Sequence, residues 1–341
     1  MTISKIDPAG LDIGQIGGRR NLIINGASNV WQRSTSATLS SAGTYITNDR
    51  WKYWASGATL SSARTAFTVG QTDVPNFEYY NRIVVGANSG AGDYATFNQH
   101  VEDVIQADAQ TFTLSFYAKA SQSWTIGIEP LQNFGSGGSS RVLGSPQNVT
   151  VGTSWTRHTV TFTTASISGK TLGTGHNFEL AFWISGGSDF NARTGSIGNN
   201  AGTFDITGVQ LEVGTVATPF EHRSYGEELA LCQRYYHRYI NGTSQFIGIG
   251  SWWVASAIDT GVTFPVAMRS APTLVATSGS NYYYMLTAGN ARYISGSFSL
   301  GRATTNACQL AASPDVGDTA GRAGQVASTS ASSSIAFDAE L

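Results

Sequence analysis

Apolar and polar residues alternate with a period of two over much of this chain. In "FTLSFYAKA" (112–120), Phe112, Leu114, Phe116 and Ala118 fall on one side and Thr113, Ser115, Tyr117 and Lys119 on the other. A half-buried strand requires this, because successive side chains point to opposite faces. "WTRHTVTFTT" (155–164), "FELAFWISG" (178–186) and "TFDITGVQLEV" (203–213) read the same way. Loops rich in Gly and Asn separate them, among them "QNFGSGGSSRVLGS" and "SDFNARTGSIGNNAG", and such loops reach positive φ at little cost. Many short strands at this spacing predict an all-β chain built on an antiparallel sandwich or jelly roll.

One stretch breaks the period. Thr218-Pro219 should end the last strand of the sandwich, since proline offers no N–H to a sheet ladder. Ser224 and Glu227 then form a capping-box pair, and Leu229, Cys232, Tyr236 and Tyr239 follow at spacings of three and four. The spacing predicts a short α-helix over 224–240, closed by Asn241-Gly242. A flexible tether would be rich in Gly and Ser, so this helix reads as a rigid elbow between two β domains. Beyond it short strands resume, with Pro265 and Pro272 marking edges or turns. The expected organisation is an N-terminal arm (1–20), a jelly-roll domain (21–223), the connecting helix (224–240) and a smaller, β-sandwich-like C-terminal domain (241–341).

Composition narrows the function classes. The length of 341 residues suits two domains, each able to bury a core. Charged residues are 12% of the chain, against about 25% in an average soluble protein. The net charge is -2 and basic residues nowhere cluster, so nothing attracts a phosphate backbone and nucleic acid is not an expected partner. No run approaches the roughly 18 to 20 apolar residues of a membrane span, and the N-terminus lacks the apolar core of a signal peptide. The expectation is a soluble chain made in a cytoplasm, without membrane insertion. Cys232 and Cys308 have no metal-ligand spacing and read as reduced, buried thiols.

Several blocks together carry a resemblance. "NLIINGASNVWQR" (21–33), "YITNDRWKY" (45–53), "VQLEVGTVATPFEHRSYGEELALCQRYY" (209–236), "TFPVAMRSAPT" (263–273) and the terminal "DAEL" resemble a family of tailed-bacteriophage structural proteins, tail fibre or minor tail proteins. Their first domain is a jelly roll similar to carbohydrate-binding modules. The resemblance implies a virion component, assembled with other virion proteins in the host bacterial cytoplasm, commonly as a homotrimer, and contacting a host-surface glycan. In carbohydrate-binding jelly rolls the segments matching "NGASNVW" and "FDITGVQLE" often hold a structural Ca²⁺ with acidic side chains. Here those positions read Ala27, Ser28 and Asn29, and Thr207 and Gly208, with Asp205 the nearby carboxylate. Calcium wants several oxygen ligands, carboxylates included, so no metal or other cofactor is expected.

Enzymatic chemistry has little support in the residue pattern. Glycosidases need two convergent carboxylates, and Asp49, Glu78, Asp93, Glu102, Asp103, Glu129 and Asp205 are scattered. The histidines at 100, 158, 176, 222 and 237 stand singly, without the spacing of a zinc site or a triad. A non-enzymatic protein is expected, with a glycan-degrading adhesin and a purely architectural decoration or adaptor protein as alternatives. Trp31, Trp51 and Trp54 read as core. The candidates for contact are doubled aromatics: Trp252, Trp253, Tyr282, Tyr283, Tyr284, Tyr79 and Tyr80. Neighbours in a strand face opposite ways, so some of these rings must point outward. A sister subunit, another virion protein or a sugar ring would cover them.

Overall fold

A computed structural model describes residues 20–39 and 43–341. The expected arm lies outside the described residues, Arg20 excepted. The chain divides into two compact units, the first reaching Glu228 and the second beginning at Leu229.

Among the described residues the first unit has twelve strands. They are β1 (Ser36–Leu39), β2 (Trp51–Ser56), β3 (Leu60–Ala66), β4 (Tyr79–Val85), β5 (Tyr94–Val101) and β6 (Thr111–Ala120). There follow β7 (Trp124–Asn133), β8 (Val142–Leu143), β9 (Gln147–Val151), β10 (Thr156–Thr163), β11 (Asn177–Gly186) and β12 (Gly202–Val213). One sheet runs β1-β3-β4-β12-β6-β10 and the other β2-β5-β11-β7-β8, with β9 also on β7. Neighbouring strands pair antiparallel. The sheets face each other across one core that includes Trp51, Phe97, Phe116, Phe182 and Leu211. This is the expected jelly-roll sandwich, and the alternation in "FELAFWISG" holds: Phe178, Leu180, Phe182 and Ile184 all point inward.

A hydrogen-bonded clamp joins the two ends of this unit. Asn21 Oδ1 accepts from Leu211 N at 3.0 Å, and Asn21 N donates to Glu221 Oε2 at 3.0 Å. Arg223 reaches the carbonyls of Asn21 and Ile23 and pairs with Glu221 and Glu228. Glu228 Oε1 accepts from Asn25 N at 2.6 Å. Asn25 adopts a φ of 59° and its side chain ties down Asn29, Val30 and Asn48. The blocks that carry the family resemblance at 21–33 and 209–236 meet here, and their polar residues serve this clamp.

Two short α-helices occur among the described residues, α1 (Asn191–Thr194) and α2 (Tyr225–Gln233). Ser224 caps α2 by accepting from Glu227 N at 3.3 Å. The expected helix is too long: it stops at Gln233, and Tyr236–Asn241 is a strand, β13. Tyr236, Tyr239 and Ile240 are aromatic and β-branched residues that favour a pleated surface, and pairing with Ser334–Asp338 outweighs the helical spacing. The jelly roll's last strand also ends at Val213 rather than at Thr218, because Thr218 turns to hydrogen-bond the Glu212 carboxylate.

The second unit is the smaller sandwich. Its strands continue as β14 (Phe246–Val254), β15 (Ala257–Thr263), β16 (Thr273–Ala276), β17 (Gly279–Thr287) and β18 (Asn290–Gly296). The last are β19 (Ser299–Gly301), β20 (Ala307–Ala312), β21 (Ala323–Ser328) and β22 (Ser334–Asp338). A three-stranded sheet, β13-β22-β16, and a seven-stranded one, β18-β17-β21-β14-β15-β20-β19, share a core of Ile240, Trp252, Tyr283, Met285, Leu310 and Phe337. Cys232 and Cys308 are buried and unlinked. No helix among the described residues is long and apolar enough to cross a membrane.

Candidate functional site

Alternation that sends Phe and Leu into the first unit's core sends a different set of residues outward. On β5 these are Tyr94, Thr96, Asn98 and His100, and on β11 Glu179, Ala181 and Trp183. On β2 they are Lys52 and Trp54, opposite Asn98 and Thr96, and on β7 Glu129, Leu131 and Asn133. Trp54, Asn98, His100, Glu179, Trp183 and Arg193 line a cleft of about 350 Å³ on this face, with Arg141 at its exposed rim.

One wall of the cleft is the segment after β11, which folds back over the sheet. Helix α1 rests on Gly127, where a Cβ would lie 2.6 Å from the Thr194 carbonyl oxygen. Any side chain there would lift the helix away. Phe190 packs against Tyr94 at 5.0 Å and Trp183 at 5.3 Å. Arg193 lies 4.8 Å above the Trp183 ring and grips Glu129 with two hydrogen bonds, 2.9 and 2.8 Å. Trp183 Nε1 donates to the same carboxylate at 2.9 Å. Glu129, wholly buried, thereby has its charge neutralised and its oxygens occupied.

The cleft floor is a second polar cluster. Glu179 Oε1 accepts from Asn98 Nδ2 at 2.5 Å and lies 3.7 Å from His100 Nε2, while Oε2 accepts from Asn133 Nδ2 at 2.8 Å. Burial raises the Glu179 pKa, but the contacts with His100, Asn133 and Asn98 outweigh burial and bring it down to about 2. Asn98 Oδ1 and His100 Nδ1 are buried without a partner. At the opposite side stands Trp54, half-buried, with Gly43 pressed so close that a Cβ would lie 2.0 Å from the indole. Lys52 Nζ sits 5.2 Å from the Trp54 ring. Aromatic surface beside fixed polar groups in a cleft is an arrangement suited to a sugar, whose apolar face stacks while its hydroxyls hydrogen-bond.

The doubled aromatics split as strand geometry requires. Trp252 and Tyr283 are fully buried, the Trp252 Nε1 donating to Thr287 Oγ1 at 3.1 Å, and Tyr80 is 7% exposed beside Phe67 and Trp155. These three serve the core and offer no ring for contact, which corrects their candidacy. Trp253 is 61% exposed. Tyr284 faces outward beside Tyr293, Tyr282 packs half-buried against the core, and Tyr79 lies under the Arg64 guanidinium at 4.7 Å. Trp31 and Trp51 are in the core as expected, whereas Trp54 belongs to the cleft. Its odd offset of three from Trp51 places the two on opposite faces of one strand, a signal the sequence already carried.

The segments expected to carry any structural Ca²⁺ do meet: Val209 N donates to Gly26 O at 3.0 Å, and Thr207 Oγ1 donates to Ala27 O at 3.5 Å. Asp205 turns instead to Arg82, with two contacts of 2.9 Å, and to Lys119 at 4.0 Å. Among the described residues no three or more His, Cys, Asp and Glu side chains converge as metal ligands.

No family model matches the chain, and no curated protein does. Solved structures do show similarity. A carbohydrate-binding module of the CBM4 type is 16% identical, over 56% of this chain and 98% of its own, with a TM-score of 0.32. The family 11 carbohydrate-binding module from Clostridium thermocellum, in complex with a β-1,3-1,4-mixed-linked tetrasaccharide, is 15% identical over 54% and 98% of the two chains, with a TM-score of 0.32. The enzymatically active domain of bacteriophage CBA120 tailspike protein 4 is 17% identical, over 57% of this chain and 21% of its own, with a TM-score of 0.30.

Proposed function

We propose that the chain is a non-enzymatic structural component of a tailed-phage virion, a tail fibre or surface fibre, whose first unit attaches to the host by holding a glycan in the β2-β5-β11 cleft. The observation that carries the binding reading is the convergence of Trp54 with Asn98, His100 and Glu179 in one cleft. The virion reading rests on the sequence blocks that resemble phage tail proteins, and the polar residues of two of those blocks build the clamp.

Carboxylate chemistry favours binding over cleavage. A glycosidase needs one carboxyl kept protonated as general acid. Glu179 is held far below that range, and Glu129 has both oxygens occupied by Arg193 and Trp183. A glycan array probed with the full chain and with Trp54→Ala tests the site: binding by the former and loss in the latter is expected, and equal signals would remove the cleft from consideration. Incubation with host polysaccharide tests the absence of cleavage, since released reducing ends would make the protein an enzyme. The exposed Phe246, Ile249, Trp253 and Tyr293 fit a subunit interface. A homotrimer is accordingly proposed, and a purely monomeric sedimentation profile at micromolar concentration would count against it.

A further inference from the structure

We infer that the cleft reads neutral sugars through hydrogen-bond acceptors: Asn98 Oδ1 and His100 Nδ1 take hydroxyl protons from a glycan whose contacting edge bears no negative charge. The inference rests on the glycan-binding reading above and adds the chemical class of the ligand.

Both atoms are buried without a partner, on side chains that line the cleft and belong to residues only 6% and 7% exposed. They sit two residues apart on one face of β5, about 7 Å along the strand. Glu179 fixes which atoms remain available. Its Oε1 accepts from Asn98 Nδ2 at 2.5 Å, so the amide commits its nitrogen to the carboxylate and leaves its oxygen without a partner. The same oxygen lies 3.7 Å from His100 Nε2, which orients that N–H toward the carboxylate. In its neutral form the imidazole presents Nδ1 as a lone pair. Asn133 occupies Oε2 from the other side.

The floor therefore offers acceptors backed by a buried anion. A sugar hydroxyl can donate to either acceptor and relieve the burial of an unpaired polar atom. A uronate carboxylate or a sulfate would instead meet two lone pairs above a negative charge. The cations nearby are engaged or remote. Arg193 is bound twice to Glu129, Lys52 lies over the rings of Tyr45 and Trp54, and Arg141 stands at the exposed rim.

Calorimetric titration of the full chain with neutral tetrasaccharides of glucose, galactose and mannose, and with tetragalacturonic acid, tests this. At least one neutral sugar is expected to bind, with tetragalacturonic acid at least tenfold weaker. Asn98→Ala and His100→Ala should each weaken the neutral sugar roughly tenfold. Thr161→Ala, an exposed position on β10 of the opposite sheet, should stay within about twofold. The sugar comparison uses the unaltered chain, so it stands even where a variant unfolds. Tighter binding of tetragalacturonic acid, or equal losses for Thr161→Ala and Asn98→Ala, would overturn the acceptor reading and leave the cleft a glycan site. Binding of no sugar in either class would overturn both.

Discussion

The outer face of β5 and β11 carries Asn98, His100 and Glu179, each less than a tenth exposed, with two polar atoms unpartnered. The outer face of the second unit's seven-stranded sheet carries Phe246 at 58% exposure, Ile249 at 62% and Tyr293 at 41%, beside Tyr284 and Gln325. One face is buried and polar, the other open and apolar. The first owes its depth to α1 and Phe190 folding back over the strands. The second has no such cover within its own unit. Buried unpaired atoms give direction and therefore selectivity, whereas open aromatic area gives adhesion with little selectivity. Under the proposed function, selective recognition and broad contact would fall to different units of one chain.

The contrast can be broken most strongly at the paired tryptophans of β14. Trp252→Ala empties a fully buried site and should destabilise the second unit by about 3–5 kcal/mol, seen as an earlier thermal transition, with glycan binding by the first unit unchanged. If binding fell as well, the division of labour would be wrong.

Acid comes next. Glu179 has its folded-state pKa depressed from 4.5 to about 2. Its stabilising effect is therefore complete above the unfolded value and is lost as pH falls from about 4.5 toward 2. Linkage gives at most about 3 kcal/mol for such a group. Denaturant titrations across that window should show the first unit weakening, and Glu179→Gln should flatten the dependence. A slope unchanged by the substitution would mean that other carboxylates cause it.

Trp54→Ala should weaken glycan binding at least tenfold, about 1.4 kcal/mol or more, while leaving the unfolding midpoint nearly unmoved because the ring is half-buried. The smallest effect is expected from Trp253→Ser, within about 0.5 kcal/mol for the isolated chain, with sedimentation shifting toward smaller species. A large loss of monomer stability would show that this ring is covered within its own unit.

Much of the fold was legible. Period-two alternation located β6, β10, β11 and β12, and the Gly/Asn loops separated them, because inward-facing residues obey one simple rule. The helix boundary was not legible: Tyr236 and Tyr239 fit a helical stripe as well as they fit a strand, and only the distant Ser334–Asp338 partner decides between them. The cleft was half legible. Trp54 and Trp183 lie on the outward parity of their strands, a fact readable from "WKYWAS" and "FELAFWISG". That Glu179 would sit against His100 depends on pairing β11 with β5 across a long separation in sequence. The doubled aromatics drew attention because they adjoin in sequence, yet adjacency guarantees that one ring of each pair enters the core.

The clamp between Asn21, Glu221, Arg223 and Glu228 has a mechanical consequence. Tension arriving at Arg20 and leaving beyond Glu228 meets these bonds first, since they join the two ends of the first unit directly. The sheets that shape the cleft lie in the loop so closed, shielded from the pull until the clamp yields. Several charge-assisted bonds loaded together resist better than a ladder opened one rung at a time. Resistance to stretching and the shape of the cleft would then reside in separate sets of bonds, and a pulling experiment on Arg223→Ala should show early extension of the unit with any ligand affinity at rest preserved.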